Sequence, residues 1–395
     1  MSRALEALLT VSRKSSRTVV GMISGTSADS IDVAVCRIVG EPERVELVHY
    51  AERPLDPEIR ASVRSAVRLG LRELSELHVR VGERFAEACL ATLTRAGLSP
   101  RDVDLVGSHG QTVYHHSSVP GAIRSTLQVG DGDVIAERTG LPVICDFRAR
   151  DIAAGGEGAP VTPRADMVLY AAGDPADSLR RAVLNLGGIA NVTVLDPDPG
   201  RVFGFDTGPA NTLLDRLAFR LTGGALAYDR DGRLARSGKT NVSVVETLLA
   251  SDPYLARTPP KSTGFEMYGD DFVARAADLH GGLDADLMAT LTEFTARTVA
   301  LAFDRHVRVD PPVREVVAAG GGVKNPALLD RIVELLHPIR VRLSDEFGVP
   351  SDAREAMSFA VLADLALRGR TTSLPAVTGA RRPVVLGKWC LPTLS

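Results

Sequence analysis

The sequence predicts an α/β fold of two similar lobes with a central cleft. Short apolar, β-branched runs alternate with longer amphipathic stretches, as strands and helices do in parallel or mixed sheets. The order of elements also restarts midway: three strand-like runs followed by helices begin near Thr18 and again near Ala182. The length, 395 residues, suits two or three domains. With 45% hydrophobic and 24% charged residues the composition is globular, which excludes a disordered chain, a collagen and a coiled coil. A net charge of −3, from 46 basic and 49 acidic residues, leaves no surplus to neutralise a nucleic-acid backbone. The 36 glycines, beside only 5% aromatics, fall in short clusters.

Residues 1–17 read as a partly disordered extension. Its apolar run Ala4–Val11 is broken by Glu6, is too short to span a membrane and lacks a cleavage site. Thr18–Ile23 is the first strand and ends in the turn Ser24-Gly25-Thr26-Ser27, with Ile31–Ile38 and Val45–Ala51 as further strands. Leu55–Arg68 and Leu71–Ala96 have helical apolar spacing. Val103–Ser108 is a buried strand running into a loop at His109-Gly110-Gln111-Thr112. Leu127–Val129 and Val143–Cys145 are strands, with a helix at Asp133–Thr139. After the restart come strands at Ala182–Leu186, Val192–Leu195 and Val202–Phe205, a helix at Asn211–Thr222 and a long helix at Leu287–His306. Strand Glu315–Ala319 and helices Pro326–Leu336 and Ala353–Arg368 follow. The tail from Pro375 has no strong helical period. These elements divide as domain I, residues 18–160 with 375–395, and domain II, residues 161–374. No apolar run reaches the 18 or so residues of a membrane span. Cys36, Cys89, Cys145 and Cys390 are far apart, form no CxxC pair and read as small buried hydrophobes in a reducing cytoplasm.

Four constellations carry chemistry. In Gly25-Thr26-Ser27-Ala28-Asp29-Ser30-Ile31-Asp32, glycine lets backbone N–H groups approach a phosphate and the hydroxyls add donors. Asp29, the first choice as metal ligand, or Asp32 would hold Mg²⁺; a polar hairpin turn is the bland alternative. In Gly204-Phe205-Asp206-Thr207-Gly208-Pro209-Ala210-Asn211 an acidic residue ends a strand, so each lobe supplies one acidic turn. Two such turns facing across a cleft suit phosphoryl transfer with one base, whereas Asp206 or Thr207 would otherwise cap the next helix. Gly320-Gly321-Gly322 with Asn325 lies between strand and helix, either under a nucleoside or for tight packing. The run from Asp146 to Pro160 is a dense charge cluster followed by a glycine-rich loop, in which Arg148 or Arg150 would grip an anion or join surface ion pairs. His109 stands at a strand end, where it would touch substrate or serve structure. His115 and His116 lack a carboxylate at metal spacing, and no nucleophile elbow occurs.

The ordered motifs GMISGTSADSID, GSHGQT, DFRARDIAAGGEGAP, NLGGIANVT, GFDTGPAN, PPKSTG, AAGGGVKN, DAREAMSFAVLA and VTGA resemble the anhydro-N-acetylmuramic acid kinase family from Thr18 to about Lys388. The resemblance implies an actin/hexokinase/Hsp70-like ATPase fold, two lobes of duplicated βββαβαβα topology. It also implies a cytoplasmic homodimer that uses ATP and Mg²⁺ to open a 1,6-anhydro muramic acid sugar and phosphorylate O6 during peptidoglycan recycling, without a nucleic-acid or membrane partner. Carried over, Asp206 is the base that activates water, Gly25–Asp32 is the ATP-binding stretch, and Gly320–Gly322 with Asn325 lie near adenosine. Gly187, Gly188 and Gly208 fall where ligands would touch backbone, and Arg148, Asp151 and Glu355 fall in motifs near the sugar, with His109 a further substrate candidate from its strand-end position. Three positions depart from the family pattern: Ser30 for glycine, Glu157 for glutamine and Phe265 for arginine. A positive φ at position 30 would strain the turn. A kinase of another anhydro sugar such as levoglucosan, and a nucleotide-binding sensor without catalysis, are the alternatives.

Overall fold

The computed structural model describes residues 3–25, 28–41, 43–116, 123–170, 180–308 and 312–393. Strands among them form two sheets. One contains β1 (Ser16–Ser24), β2 (Ser30–Val39), β3 (Arg44–Pro54), β4 (Leu105–His116), β5 (Ser125–Val129) and β6 (Val143–Cys145). The other contains β7 (Arg181–Leu186), β8 (Ile189–Leu195), β9 (Phe203–Pro209), β10 (Glu315–Ala319) and β11 (Arg340–Leu343). The last strand, β12 (Lys388–Cys390), returns to the edge of the first sheet.

Both sheets are built alike. β1, β2 and β3 form an antiparallel meander, β4 pairs parallel to β1, and β6 pairs parallel to β4. β7, β8 and β9 repeat the meander, β10 pairs parallel to β7, and β11 pairs parallel to β10. The order β6-β4-β1-β2-β3 therefore recurs as β11-β10-β7-β8-β9. This is the duplicated α/β topology that the restart near Ala182 predicts.

The chain divides into unit 1, Met1–Asp177 with Phe347–Ser395, and unit 2, Ser178–Glu346. Of the described residues, 161–170 and 347–374, expected in the second domain, group with unit 1 in this division. Two contacts account for this. Arg354 and Asp166 form a buried ion pair at 2.7 Å. The helix Arg354–Leu367 lies directly on the first sheet, because two strand glycines leave room for its backbone: a Cβ at Gly21 would stand 1.9 Å from Ala356 O, and one at Gly107 2.3 Å from Phe359 O. On another face of that sheet, the helix Leu71–Arg95 buries Leu77, Val81, Phe85, Ala88 and Cys89, the apolar stripe that its sequence period predicts.

Several local expectations change. Residues before Thr18 contain the helix Arg3–Ser12 and the start of β1, where Arg17 is buried and bonded to Asp364. His109–Thr112 is no loop: β4 continues through it to His116, bending at Gly110 (φ 72°) and pairing there with β5. The charged run after β6 folds as the helix Phe147–Ala153, while the stretch from Leu55 gives a helix only over Pro57–Arg64. The tail carries a short helical turn at Pro375–Thr378 as well as β12. Cys145 and Cys390, distant in sequence, are brought to 3.7 Å between sulfurs by the β6–β12 pairing; Cys36 and Cys89 are fully buried, as read. No helix among the described residues is long and apolar enough to cross a membrane.

Candidate active site

Asp206 lies on β9, at the edge of the second sheet. The register with β8 steps from Asn191↔Asp206 to Ala190↔Gly208, which leaves Thr207 as the extra residue of a bulge. A bulge re-aims the neighbouring side chain and interrupts the ladder, a common device beside active sites. The Thr207 hydroxyl is buried and donates to Ala190 O at 3.2 Å, so it serves the bulge. Beyond β9, the segment Lys261–Thr263 clasps Asp206 from two sides. The Asp206 N–H donates to Lys261 O at 3.2 Å, and the Thr263 N–H donates to Asp206 Oδ2 at 2.9 Å. The Tyr254 hydroxyl donates to Asp206 O at 2.6 Å. Burial pushes the Asp206 carboxyl up to about 6; the Thr263 N–H and the Lys261 ammonium oppose that rise and Glu266 adds to it. A carboxylate tuned to this range is ionised at neutral pH and still basic enough to accept a proton.

The alternative role for Asp206, helix capping, is filled otherwise. The helix Asn211–Leu221 has Ala210 at its N-cap with no side-chain cap. The N–H groups of Ala210, Asn211 and Thr212 donate to the carbonyls of Gly188, Gly187 and Gly188, each at 3.0 Å. The Gly187–Gly188 turn is thus the cap, and a Cβ on Gly188 would meet the Phe265 ring at 2.9 Å. Phe265, at the departure from the family pattern, stands half exposed with the Arg216 guanidinium 5.6 Å from its ring centroid. Gly208 packs against Thr298.

The three glycines after β10 divide by role. Gly320 (φ 86°) and Gly322 press against Asn185 and Leu186, where a Cβ would stand 2.7 Å from each neighbour. Gly321 is exposed, with no atom nearer to such a Cβ than Asn211 Nδ2 at 3.9 Å. It alone of the three presents open backbone. Asn325 caps the helix Pro326–Leu336, its Oδ1 accepting from the Ala327 and Leu328 N–H groups at 3.1 and 3.3 Å.

In unit 1 the first motif sits between β1 and β2. Thr26 and Ser27 lie outside the described residues. The Ala28 N–H donates to Gly25 O at 3.0 Å, and Ala28 itself holds the left-handed conformation (φ 55°). Ser30 is the first residue of β2, pairs with Pro54 and has no positive φ. The strain expected from losing glycine at position 30 is therefore absent, since the residue that turns the chain is two positions earlier. Ile31 is a core residue. Asp29 is half exposed and its Oδ1 faces Arg60 at 2.9 Å and Arg64 at 3.4 Å. Asp32 accepts the Tyr50 hydroxyl at 2.8 Å. Burial pushes Asp32 up to about 6 against that bond, with Glu52, Glu355 and Asp352 adding to the rise.

The residues expected near the sugar meet in part. Arg148 donates from Nε to His109 Nε2 at 2.9 Å and from Nη1 to Gly158 O at 2.9 Å. His109 is buried, its Nδ1 lies 3.2 Å from Gly110 O, and burial with the Arg148 cation pushes it down to about 3. It is a neutral acceptor that aims Arg148. Burial lowers Arg148 to about 10, opposed by Glu355, so the guanidinium stays charged. Glu355, exposed in the first turn of the Arg354–Leu367 helix, thus shares a field with Arg148 and Asp32. Asp151 is engaged elsewhere: its two oxygens accept the Thr378 hydroxyl and the Gly158 N–H, each at 2.8 Å, which ties the 155–158 loop to the tail.

Sequence reasoning missed Tyr254, Lys261 and Thr263 around Asp206. The conspicuous PPKSTG stretch is the signal for Lys261 and Thr263, but nothing in its spacing reveals that it lies beside β9, and Tyr254 stands outside it. It also missed Tyr50, which approaches Asp32 only through β2–β3 pairing.

Residues 17–391 match the family described as anhydro-N-acetylmuramic acid kinase. Proteins of that name from Caldanaerobacter subterraneus subsp. tengcongensis and Salinibacter ruber are each 40% identical, the first covering 97% of this chain and 99% of its own, the second 98% and 100%. The Xanthomonas axonopodis pv. citri protein is 42% identical over 93% of this chain and 96% of its own. With a tuned carboxylate on β9 and these matches along nearly its whole length, the chain belongs to the anhydro-N-acetylmuramic acid kinase family.

Proposed function

We propose that the chain is an ATP-dependent kinase that hydrolytically opens the 1,6-anhydro ring of 1,6-anhydro-N-acetylmuramic acid and phosphorylates O6, giving N-acetylmuramic acid 6-phosphate. Asp206 takes a proton from water as the water oxygen attacks the anomeric carbon. The bond from that carbon to the bridging oxygen breaks, and the released O6 takes the γ-phosphoryl group as ADP departs. The observation that carries this reading is the carboxyl of Asp206, half-buried, held by one N–H and raised by burial to about 6. The family's activity fits it, because one base suffices when the same oxygen is leaving group at carbon and nucleophile at phosphorus.

Arg148, aimed by His109, is the cation for an anionic part of the substrate, with Glu355 beside it. The turns at Gly25–Asp32, Gly187–Gly188, Gly208 and Gly320–Gly322 serve the nucleotide, and Gly321 has the open backbone for it. Mg²⁺ bound with the nucleotide would neutralise triphosphate charge. Such an ion keeps several waters and takes only one or two carboxylates, so the lack of a three-residue metal cluster among the described residues does not count against it. Asp32, half-buried and facing the carboxylates of Glu52, Glu355 and Asp352, fits this task better than Asp29, which faces two arginines. A cytoplasmic homodimer completes the proposal. A levoglucosan kinase and a non-catalytic sensor gain no support from the comparisons. ADP release measured with both sugars tests the reading: turnover of the muramic acid sugar is expected, and activity confined to levoglucosan, or ATP binding without transfer to either, overturns it.

A further inference from the structure

The clasp around Asp206 contains a cation with no role in the reaction as written. Lys261 Nζ lies 4.8 Å from the centroid of the Tyr254 ring and 5.7 Å from that of Phe205, a seat that favours an ammonium over two aromatic faces. Its own backbone carbonyl receives the Asp206 N–H, and two residues on, the Thr263 N–H holds Asp206 Oδ2. The two rings that seat the ammonium belong to the same assembly. Phe205 precedes Asp206 on β9, and Tyr254 donates its hydroxyl to Asp206 O. Apart from these hydrogen bonds to Asp206, Lys261 and Thr263 lie outside regular helix or strand.

We propose that Lys261 is a positioning residue for the reaction: its ammonium, seated on Tyr254 and Phe205, latches the 261–263 segment along β9 so that the Thr263 N–H fixes the rotamer and basicity of Asp206. The inference rests on Asp206 being the base. The groups facing Asp206 are Lys261, Glu266, Tyr254 and the Thr263 N–H. Those facing Lys261 are Arg305, Arg257, Asp252 and His306 besides Asp206. Without the latch, Asp206 loses both groups that oppose its rise, the N–H and the cation, and keeps Glu266. Its proton is then released at higher pH, so the acidic limb of the rate profile moves up.

The test is a set of pH profiles of kcat and kcat/KM on the full-length enzyme with ATP and the anhydro sugar. Lys261→Met is expected to cut kcat at least tenfold at pH 7, to change KM for either substrate less than threefold, and to raise the midpoint of the acidic limb by about one pH unit. Lys261→Arg keeps a cation for the aromatic seat and restores most of the rate and the limb. Thr263→Pro, which removes the N–H together with the side-chain hydroxyl and fixes φ, moves the limb in the same direction even if the Lys261 variant fails to fold. Limbs that stay in place in both variants, or an arginine no better than methionine, overturn the proposal. If Asp206→Asn retains turnover, the reading of Asp206 as base fails first. If Asp206→Asn is inactive while both limbs stay put, this inference alone fails.

Discussion

The two acidic motifs, one in each unit, are built in opposite ways: Asp29 lies in the turn between β1 and β2, and Asp206 lies within β9. Asp29 is half exposed and faces two arginines from the helix Pro57–Arg64. Asp206 is half-buried, and a backbone N–H is its hydrogen-bond donor. A half-buried carboxylate bears a desolvation cost, and that cost raises its proton affinity toward neutrality. Similar sequence signals thus produced a surface ion pair in one unit and a carboxyl raised by burial in the other, with the raised acid of unit 1, Asp32, three positions further on.

The strongest way to break this contrast is Asp206→Asn. Turnover is expected to fall at least about a thousandfold while ATP binding persists, since a lone general base is removed; a fall of less than tenfold in steady-state kcat would return Asp206 to an ordinary strand residue. The same variant carries a stability signature. A carboxyl whose folded value stands near 6, above its usual 3.8, is costly to keep ionised, and that cost is present in full above pH 6 and disappears as pH falls toward 4. Asp206→Asn is therefore expected to raise Tm at pH 7 by roughly 2 °C or more, with no gain at pH 4. An equal gain at both values in a melting series would show that the proton is not the cause.

Next in size is Gly107→Ala. Its methyl would press on Phe359 O in the helix that carries Glu355, so a loss of at least about 3 kcal/mol of stability, or failure to fold, is expected in denaturant titrations. A loss under about 1 kcal/mol would mean that the helix can lift from β4. Smaller still is the effect on metal use. Asp32→Asn is expected to raise the Mg²⁺ concentration for half-maximal rate about tenfold, and Asp29→Ala less than threefold; the reverse order would return the ion to Asp29. The smallest effect is that of Ser30→Gly. Position 30 is a β-strand residue without positive φ, so glycine costs about 0.5–1 kcal/mol rather than relieving strain. A gain in Tm would contradict the observed turn.

The corrections share one physical cause. Local pattern revealed β1, β7 and the glycine clusters, because strand period, turn chemistry and the need for φ > 0 are written in neighbouring residues. It did not reveal that Gly21 and Gly107 are spaces for a helix more than 200 residues away, since an isolated glycine in a strand looks the same whatever approaches it. It also could not separate Gly320 and Gly322, which pack, from Gly321, which is open, because the distinction lies in Asn185 and Leu186 on β7. Thr26 and Ser27 remain outside that comparison.

By itself the sequence determined the α/β class, the duplicated order of elements and the family, all of which rest on residue type and short spacing. Tertiary structure alone decided which acids are tuned. Asp32 and Asp206 are raised by burial while Asp29 faces Arg60 and Arg64, and His109 stays neutral behind Arg148. Desolvation and hydrogen bonding depend on what folds around a carboxylate or an imidazole, and for these groups the decisive neighbours, from Tyr50 to Thr263, come from other stretches of the chain.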